Sequence, residues 1–81
     1  MRFNERKIRV LYVLRDRVPQ TVKQIYAELH EKRYLGYVSI NAIYMACMRY
    51  TEWGDLRCIL SVPIQYQITR KGFEKLKWFL D

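Results

Sequence analysis

Two cysteines and a single histidine in 81 residues remove most metal and redox chemistry from consideration. Cys47 and Cys58 are too few for a disulfide framework, and their spacing matches no zinc pattern. Two reduced, packed thiols are the expected state. If they bridged instead, the bond would tie the third helix to the strand after it. His30 has no Ser or Cys in a triad-like context, and Glu28 and Glu31 beside it read as helix-face charges. The three glycines are isolated, so no loop cradles a phosphate in the manner of nucleotide-binding enzymes. Long apolar runs are missing too. Val10-Leu11-Tyr12-Val13-Leu14 falls far short of the roughly 20 residues a membrane helix needs. The charged N-terminus, with no small-residue cleavage site after an apolar stretch, is no signal peptide. These scarcities predict an intracellular, soluble, cytoplasmic protein that is no enzyme and holds no metal or cofactor.

Positive charge and apolar side chains are what the chain has in excess. Its formal charge is +7 and its pI near 9.7. The cations spread over Arg2, Arg6, Lys7, Arg9, Arg15 and Arg17, then Lys32 and Arg33, then Arg70, Lys71, Lys75 and Lys77. Charge distributed this way favours a polyanion such as DNA or RNA. A length of 81 residues allows one domain, residues 1–81, with a modest core. Yet 51% of the residues are apolar and seven are tyrosines, more than one small core absorbs. Dimerisation is the simplest outlet.

In order, residues 4 to 17 predict a first helix with Asn4 as its cap and Glu5 at the positive end of the dipole. Ile8, Leu11 and Tyr12 form one stripe; Val10, Val13 and Leu14 form a second. Val18-Pro19 closes this helix, because the residue before proline is pushed out of the α region. Thr21-Val22-Lys23-Gln24 has the form of a capping box opening a second helix to about Lys32, with Val22, Ile25, Tyr26 and Leu29 inward. After a connection around Gly36, Ser39 caps a third helix over residues 39 to 50. Ile40, Ile43, Cys47 and Tyr50 recur at helical spacing and predict its packed side; Asn41, Ala42, Met45 and Arg49 lie away from that seam. Gly54 ends the helical region. Leu56 to Leu60 and Ile64 to Ile68 then predict a hairpin turning at Ser61-Val62-Pro63, the second strand alternating apolar and polar. Thr69 caps a last helix from Arg70 to about Leu80, with Phe73, Leu76 and Leu80 on one face. Gly72 lets its backbone pass close to a neighbour. The predicted class is α+β, in the order helix-helix-helix-strand-strand-helix.

Three helices followed by a hairpin is the winged helix-turn-helix order, and two stretches resemble that family closely. Ser39 to Leu56, with Ile43-Tyr44 early and Gly54 after the helix, looks like the recognition helix of PadR-like and MarR-like transcriptional regulators. Tyr66-Gln67-Ile68-Thr69-Arg70-Lys71-Gly72 is similar to their Tyr-x-Leu-Thr-x-x-Gly pattern at the end of the wing. The small size is similar to compact regulators encoded by archaeal viruses and plasmids, which would place the protein in a host's cytoplasm. The resemblance implies sequence-specific binding of double-stranded DNA, regulation of transcription, most often repression, and a homodimer. It covers residues 20 to 80. One departure stands out: many winged-helix tips carry Arg or Lys, whereas this tip is Ser61-Val62-Pro63 and Arg57 is the one cation in the hairpin.

On this reading Ser39, Asn41, Ala42, Tyr44, Met45 and Arg49 meet DNA. Arg49 would pair with guanine or phosphate, and Asn41 with adenine. Lys23, Lys32 and Arg33 flank the helix pair and would meet phosphate, as would the start of the second helix at Gln20 and Thr21. Arg57 would touch phosphate weakly or serve another contact. Tyr12, Val13, Trp78, Phe79 and Leu80 would form the dimer surface. No second domain or extra helix is present for a small-molecule effector, so none is expected. The rival expectation is a winged-helix protein-interaction module, favoured by the neutral tip and by Met45 and Met48.

Overall fold

The computed structural model describes residues 8–32 and 36–80, the last by its backbone. Along them run α1 (Arg9–Val13), β1 (Gln20–Thr21), α2 (Val22–Glu31), α3 (Ile40–Glu52), β2 (Leu56–Ile59), β3 (Gln65–Ile68) and α4 (Arg70–Leu80). The chain is α+β: among the described residues, four helices accompany a three-stranded antiparallel sheet of order β1-β3-β2. The element order departs from the one expected by one strand, β1, between the first two helices. Gln20 pairs with Tyr66 and Thr21 with Gln65. Two residues are too short to show alternation, and the partner strand lies far along the chain, so this pairing leaves no local trace.

The first helix is also shorter than expected at its C-terminal end. Leu14 caps α1, and the backbone tightens into i→i−3 bonds, Leu14 N to Leu11 O at 3.1 Å and Arg17 N to Leu14 O at 3.0 Å. Arg17 then adopts φ 67°, a left-handed conformation that ends any helix. Asn4 and Glu5 lie outside the described residues. Ile8, Val10, Leu11, Val13 and Leu14 are each at most 4% exposed, so α1 is enclosed by the core on nearly every side. Ile25 and Leu29 of α2, Val38, then Ile43, Cys47 and Tyr50 of α3, and Leu56, Tyr66, Ile68 and Leu76 complete that core.

The predicted caps form. Thr21 Oγ1 accepts the Gln24 amide at 3.1 Å while Gln24 Oε1 accepts the Thr21 amide at 2.8 Å. Ser39 Oγ accepts the Ala42 amide at 3.1 Å. Val38 before this cap and Ile43 after it are both buried, the two positions of a hydrophobic staple. Ile40, expected on the packed side, is 44% exposed instead. Val38 fills the core at that end, and the first turn of α3 stands beyond its edge.

Beyond α3 the chain turns on Gly54, at φ 85°. Gly54 N donates to Thr51 O at 3.1 Å and Asp55 N to Tyr50 O at 2.8 Å, the paired bonds of a Schellman ending. Asp55 is wholly buried; its backbone carbonyl accepts from the Thr69 amide at 3.0 Å, and the Thr69 hydroxyl donates to the neighbouring Gly54 carbonyl at 2.7 Å. Thr69 Oγ1 in turn accepts the Gly72 amide at 3.1 Å. One knot of bonds thereby joins the end of α3, the start of β2 and the first turn of α4. β2 and β3 pair in register from Leu56–Ile68 to Ile59–Gln65. Leu56, Tyr66 and Ile68 face the core, and Arg57 and Gln67 face away from it.

Candidate nucleic-acid interface

Ile43, Cys47 and Tyr50 seat α3 on the core, and helical spacing turns the rest of its surface outward. Asn41, Ala42, Tyr44, Met45, Met48 and Arg49 are exposed. The Arg49 side chain makes no hydrogen bond or ion pair among the described residues, so its guanidinium is available to a ligand. Ser39 is half-buried, and its hydroxyl oxygen is engaged as the cap. Four of the predicted contacts, Asn41, Tyr44, Met45 and Arg49, therefore share one open surface with Ala42 beside them.

The hairpin forms a wall beside that surface. Tyr44, Met45, Met48, Arg49, Thr51 and Glu52 of α3 line an open groove of about 590 Å³ with Cys58, Ile64 and Tyr66, and Glu52 is its one carboxylate. Met48 follows Tyr44 and Met45 at helical spacing, so periodicity suffices to find it; Ile64 enters only through the hairpin fold. At the tip Leu60 and Val62 are exposed, and no cation stands among residues 60 to 64. Ser61 Oγ donates to Pro63 O at 2.7 Å and shapes this turn.

The flanking positions behave differently from one another. Lys23 is exposed in the first turn of α2. Lys32 lies 3.6 Å from Glu28, a partly exposed pair that yields easily to a competing anion. Both the amide and the hydroxyl of Thr21 are engaged in its capping box. Arg33 lies outside the described residues. Arg57 does not join the α3 surface: strand alternation puts it on the outer face of the sheet, where it lines a cavity with Arg17 and Arg70. That separation was legible from Leu56 and Cys58 on either side of it; the approach of Arg17 and Arg70 was not.

Of the expected dimer residues, Val13 is 1% exposed and belongs to the core of its own chain. Tyr12 and Phe79 are partly buried against that core. The Arg15 guanidinium covers the Tyr12 ring at 4.1 Å. Trp78 is 77% exposed and meets Phe79 edge-on at 5.2 Å. The side chain of Leu80 lies outside the described residues. His30 is exposed and stacks on Tyr26, with ring centroids 6.0 Å apart. No helix is long and apolar enough to cross a membrane, and no three His, Cys, Asp or Glu gather, among the described residues.

Both cysteines are free thiols. Burial pushes the Cys47 thiol from its ordinary 9.0 up to about 12. Burial first, and then the Asp55 carboxylate, push the Tyr50 phenol above its ordinary 10.0. Both groups stay protonated in the fold at a pH where the unfolded chain releases its protons. The unfolded state is therefore favoured as pH climbs past those ordinary values. Stability is expected to hold level from neutral pH to about pH 9 and to fall continuously towards pH 12. Denaturant midpoints followed upward from neutral pH read this directly, and Cys47→Ala should flatten the first part of the fall. Compared with family models, with curated proteins and with solved structures, the chain gives no match.

Proposed function

We propose that the chain is a winged helix-turn-helix protein that binds double-stranded DNA through α3 as a homodimer and regulates transcription as a repressor. The observation that carries this reading is the two-sidedness of α3. Ile43, Cys47 and Tyr50 hold it to the core, and an exposed Asn41, Tyr44, Met45 and Arg49 are left for a groove. Packing of α2 against α3 and a hairpin immediately after them support the winged reading. β1 fits it as well, because it hydrogen-bonds the lead-in of α2 to β3. Asn41 and Arg49 carry the amide and guanidinium that match adenine and guanine edges. Lys23 supplies sequence-independent attraction, and Lys32 joins it on releasing Glu28. The exposed Trp78 supports a twofold contact near α4. Such a dimer presents two α3 helices roughly 34 Å apart and calls for a pseudo-palindromic site.

A mobility-shift titration on duplex DNA, with salt varied, tests the reading. Binding is expected to weaken steeply with salt, log K falling by roughly 0.9 per phosphate neutralised for each unit of log salt. Arg49→Ala is expected to cost roughly 10- to 100-fold on a preferred site. Two chains per shifted duplex support the dimer; one chain refutes it. Absent or salt-insensitive binding sinks the DNA reading. A second reading, a protein-interaction module, then takes its place, because the groove between α3 and the hairpin is walled by Tyr44, Met45, Met48, Ile64 and Tyr66.

A further inference from the structure

We propose that Arg17, Arg57 and Arg70 form a phosphate-binding site on the outer face of the sheet, separate from α3. The three residues come from the turn after α1, from β2 and from the first position of α4. They converge on one cavity of about 570 Å³ whose remaining lining is Gln67, Ile68 and Thr69, with no carboxylate among the lining residues. Three arginines lining one cavity, with Glu74 beside Arg70 as the acid paired to them, carry more positive charge than one carboxylate balances. They suit an oxyanion that offers three or more acceptor oxygens.

Two of the three groups, Arg17 and Arg57, are positioned rather than merely solvated. Gln67 is the clamp: its Nε2 donates to Arg17 O at 2.8 Å, and its Oε1 accepts from Arg57 Nε at 3.0 Å. That bond uses one donor of Arg57 and leaves its two terminal nitrogens for a ligand. The Arg17 guanidinium lies over the Phe73 ring at 4.7 Å. That contact gives the guanidinium no oxygen acceptor, so its N–H donors remain for an anion. Arg70 has an acidic neighbour, Glu74, at 3.5 Å, but the two side chains are 90% and 65% exposed, so the pair is weak and exchangeable. The other nearby acid, Asp16, accepts the Val18 amide at 3.3 Å.

Backbone strain points the same way. Arg17 holds φ 67°, a conformation glycine adopts freely and a residue with a Cβ does not. The same Gln67 amide that holds the strained carbonyl also orients Arg57. An arginine at a position suited to glycine contributes through its side chain. This makes Arg17→Gly a sharp test, because it relieves the backbone while removing a ligand.

The phosphate group has two sources, a nucleic-acid backbone or a free phosphate compound; the first rests on the DNA reading above, and the second does not. The test follows the Nε–H resonances of Arg17 and Arg57 in the full chain. Inorganic phosphate is added against chloride at matched ionic strength. A saturable shift with phosphate alone is expected. Arg17→Gly should weaken it, and the triple variant Arg17→Gly, Arg57→Gln, Arg70→Gln should abolish it, with the backbone amide spectrum retained. Shifts that never saturate, or that persist in the triple variant, overturn the site. A short duplex supplies the second arm. If it moves the same resonances, and the triple variant lowers the salt slope by roughly one, the source is a nucleic-acid backbone. If phosphate moves them and the duplex does not, the site takes a free phosphate compound. Arg49→Ala is run beside these, so a failure of the α3 reading appears in the duplex arm alone and a failure of this site in the phosphate arm.

Discussion

Gly72→Ala is expected to destabilise the fold by about 3 kcal/mol or more, a loss of roughly 12 °C or more in melting temperature for a domain of this size. The helical position itself would welcome alanine, since glycine inside a helix is worse than alanine by roughly 1 kcal/mol. The neighbour decides the sign. A Cβ on Gly72 would be driven into the Asp55 carbonyl oxygen and would stand 2.9 Å from the carbonyl carbon. Neither atom can swing aside easily, because that carbonyl accepts from the Thr69 amide at 3.0 Å and the Gly54 carbonyl before it accepts from the Thr69 hydroxyl at 2.7 Å. On the far side, Ile68 Cγ1 lies 3.0 Å from the same Cβ position. The clash is therefore with the backbone of the junction between α3 and β2, and relieving it means breaking the cap of α4. Thermal melting followed by circular dichroism reads the effect. A neutral or stabilising Gly72→Ala would show that α4 leaves room for a Cβ beside the Asp55 carbonyl.

Lys75→Met should cost roughly 2–3 kcal/mol, for a reason of charge rather than space. Asp55 has no exposed surface, and its Oδ1 accepts no hydrogen bond among the described residues. Its Oδ2 receives the Lys75 ammonium at 2.6 Å. Lys75 also reaches over the rings of Trp53 and Tyr50, at 5.2 and 5.9 Å. Methionine keeps much of the stem's packing and strands a carboxylate in the interior. Such losses run to about 3–5 kcal/mol for fully buried pairs. Here the lysine side chain is 32% exposed, so water reaches the vacated side and brings the loss to the bottom of that range or just below it. Chemical denaturation of Lys75→Met, Asp55→Asn and the double variant gives the coupling. The double variant should recover part of the loss. A double variant as unstable as the two single losses added together would mean that the ion pair contributes nothing.

Local chemistry was legible in this chain; distant pairing was not. The Thr21–Gln24 box, the Ser39 cap and the Gly54 ending each depend on residues within one helical turn, so each could be read before any contact was known. Gly72 could be assigned a close approach, though not the identity of its neighbour, because Asp55 lies in another element. Ile40 shows where periodicity misleads. The spacing marks it as one of a seam with Ile43 and Cys47, but spacing carries no information on where the core stops. β1 escaped because its pairing with β3 is all that defines it. The α3 surface was legible as a face and not as a groove, since its opposite wall is supplied by Ile64 and Tyr66. The cluster of Arg17, Arg57 and Arg70 was invisible for the same reason: the Gln67 bond to Arg17 O spans 50 positions in sequence.

Thr21 belongs to two elements at once. Its backbone is registered against Gln65 in the sheet, and its side chain closes the first turn of α2. No slack separates the hairpin from the helix pair at this point. A load applied to residues 60 to 64 reaches the beginning of α2 through one residue and a four-residue strand, with nothing in between to stretch. A change that unseats Thr21 from Gln65 is therefore expected to loosen the first turn of α2 as well.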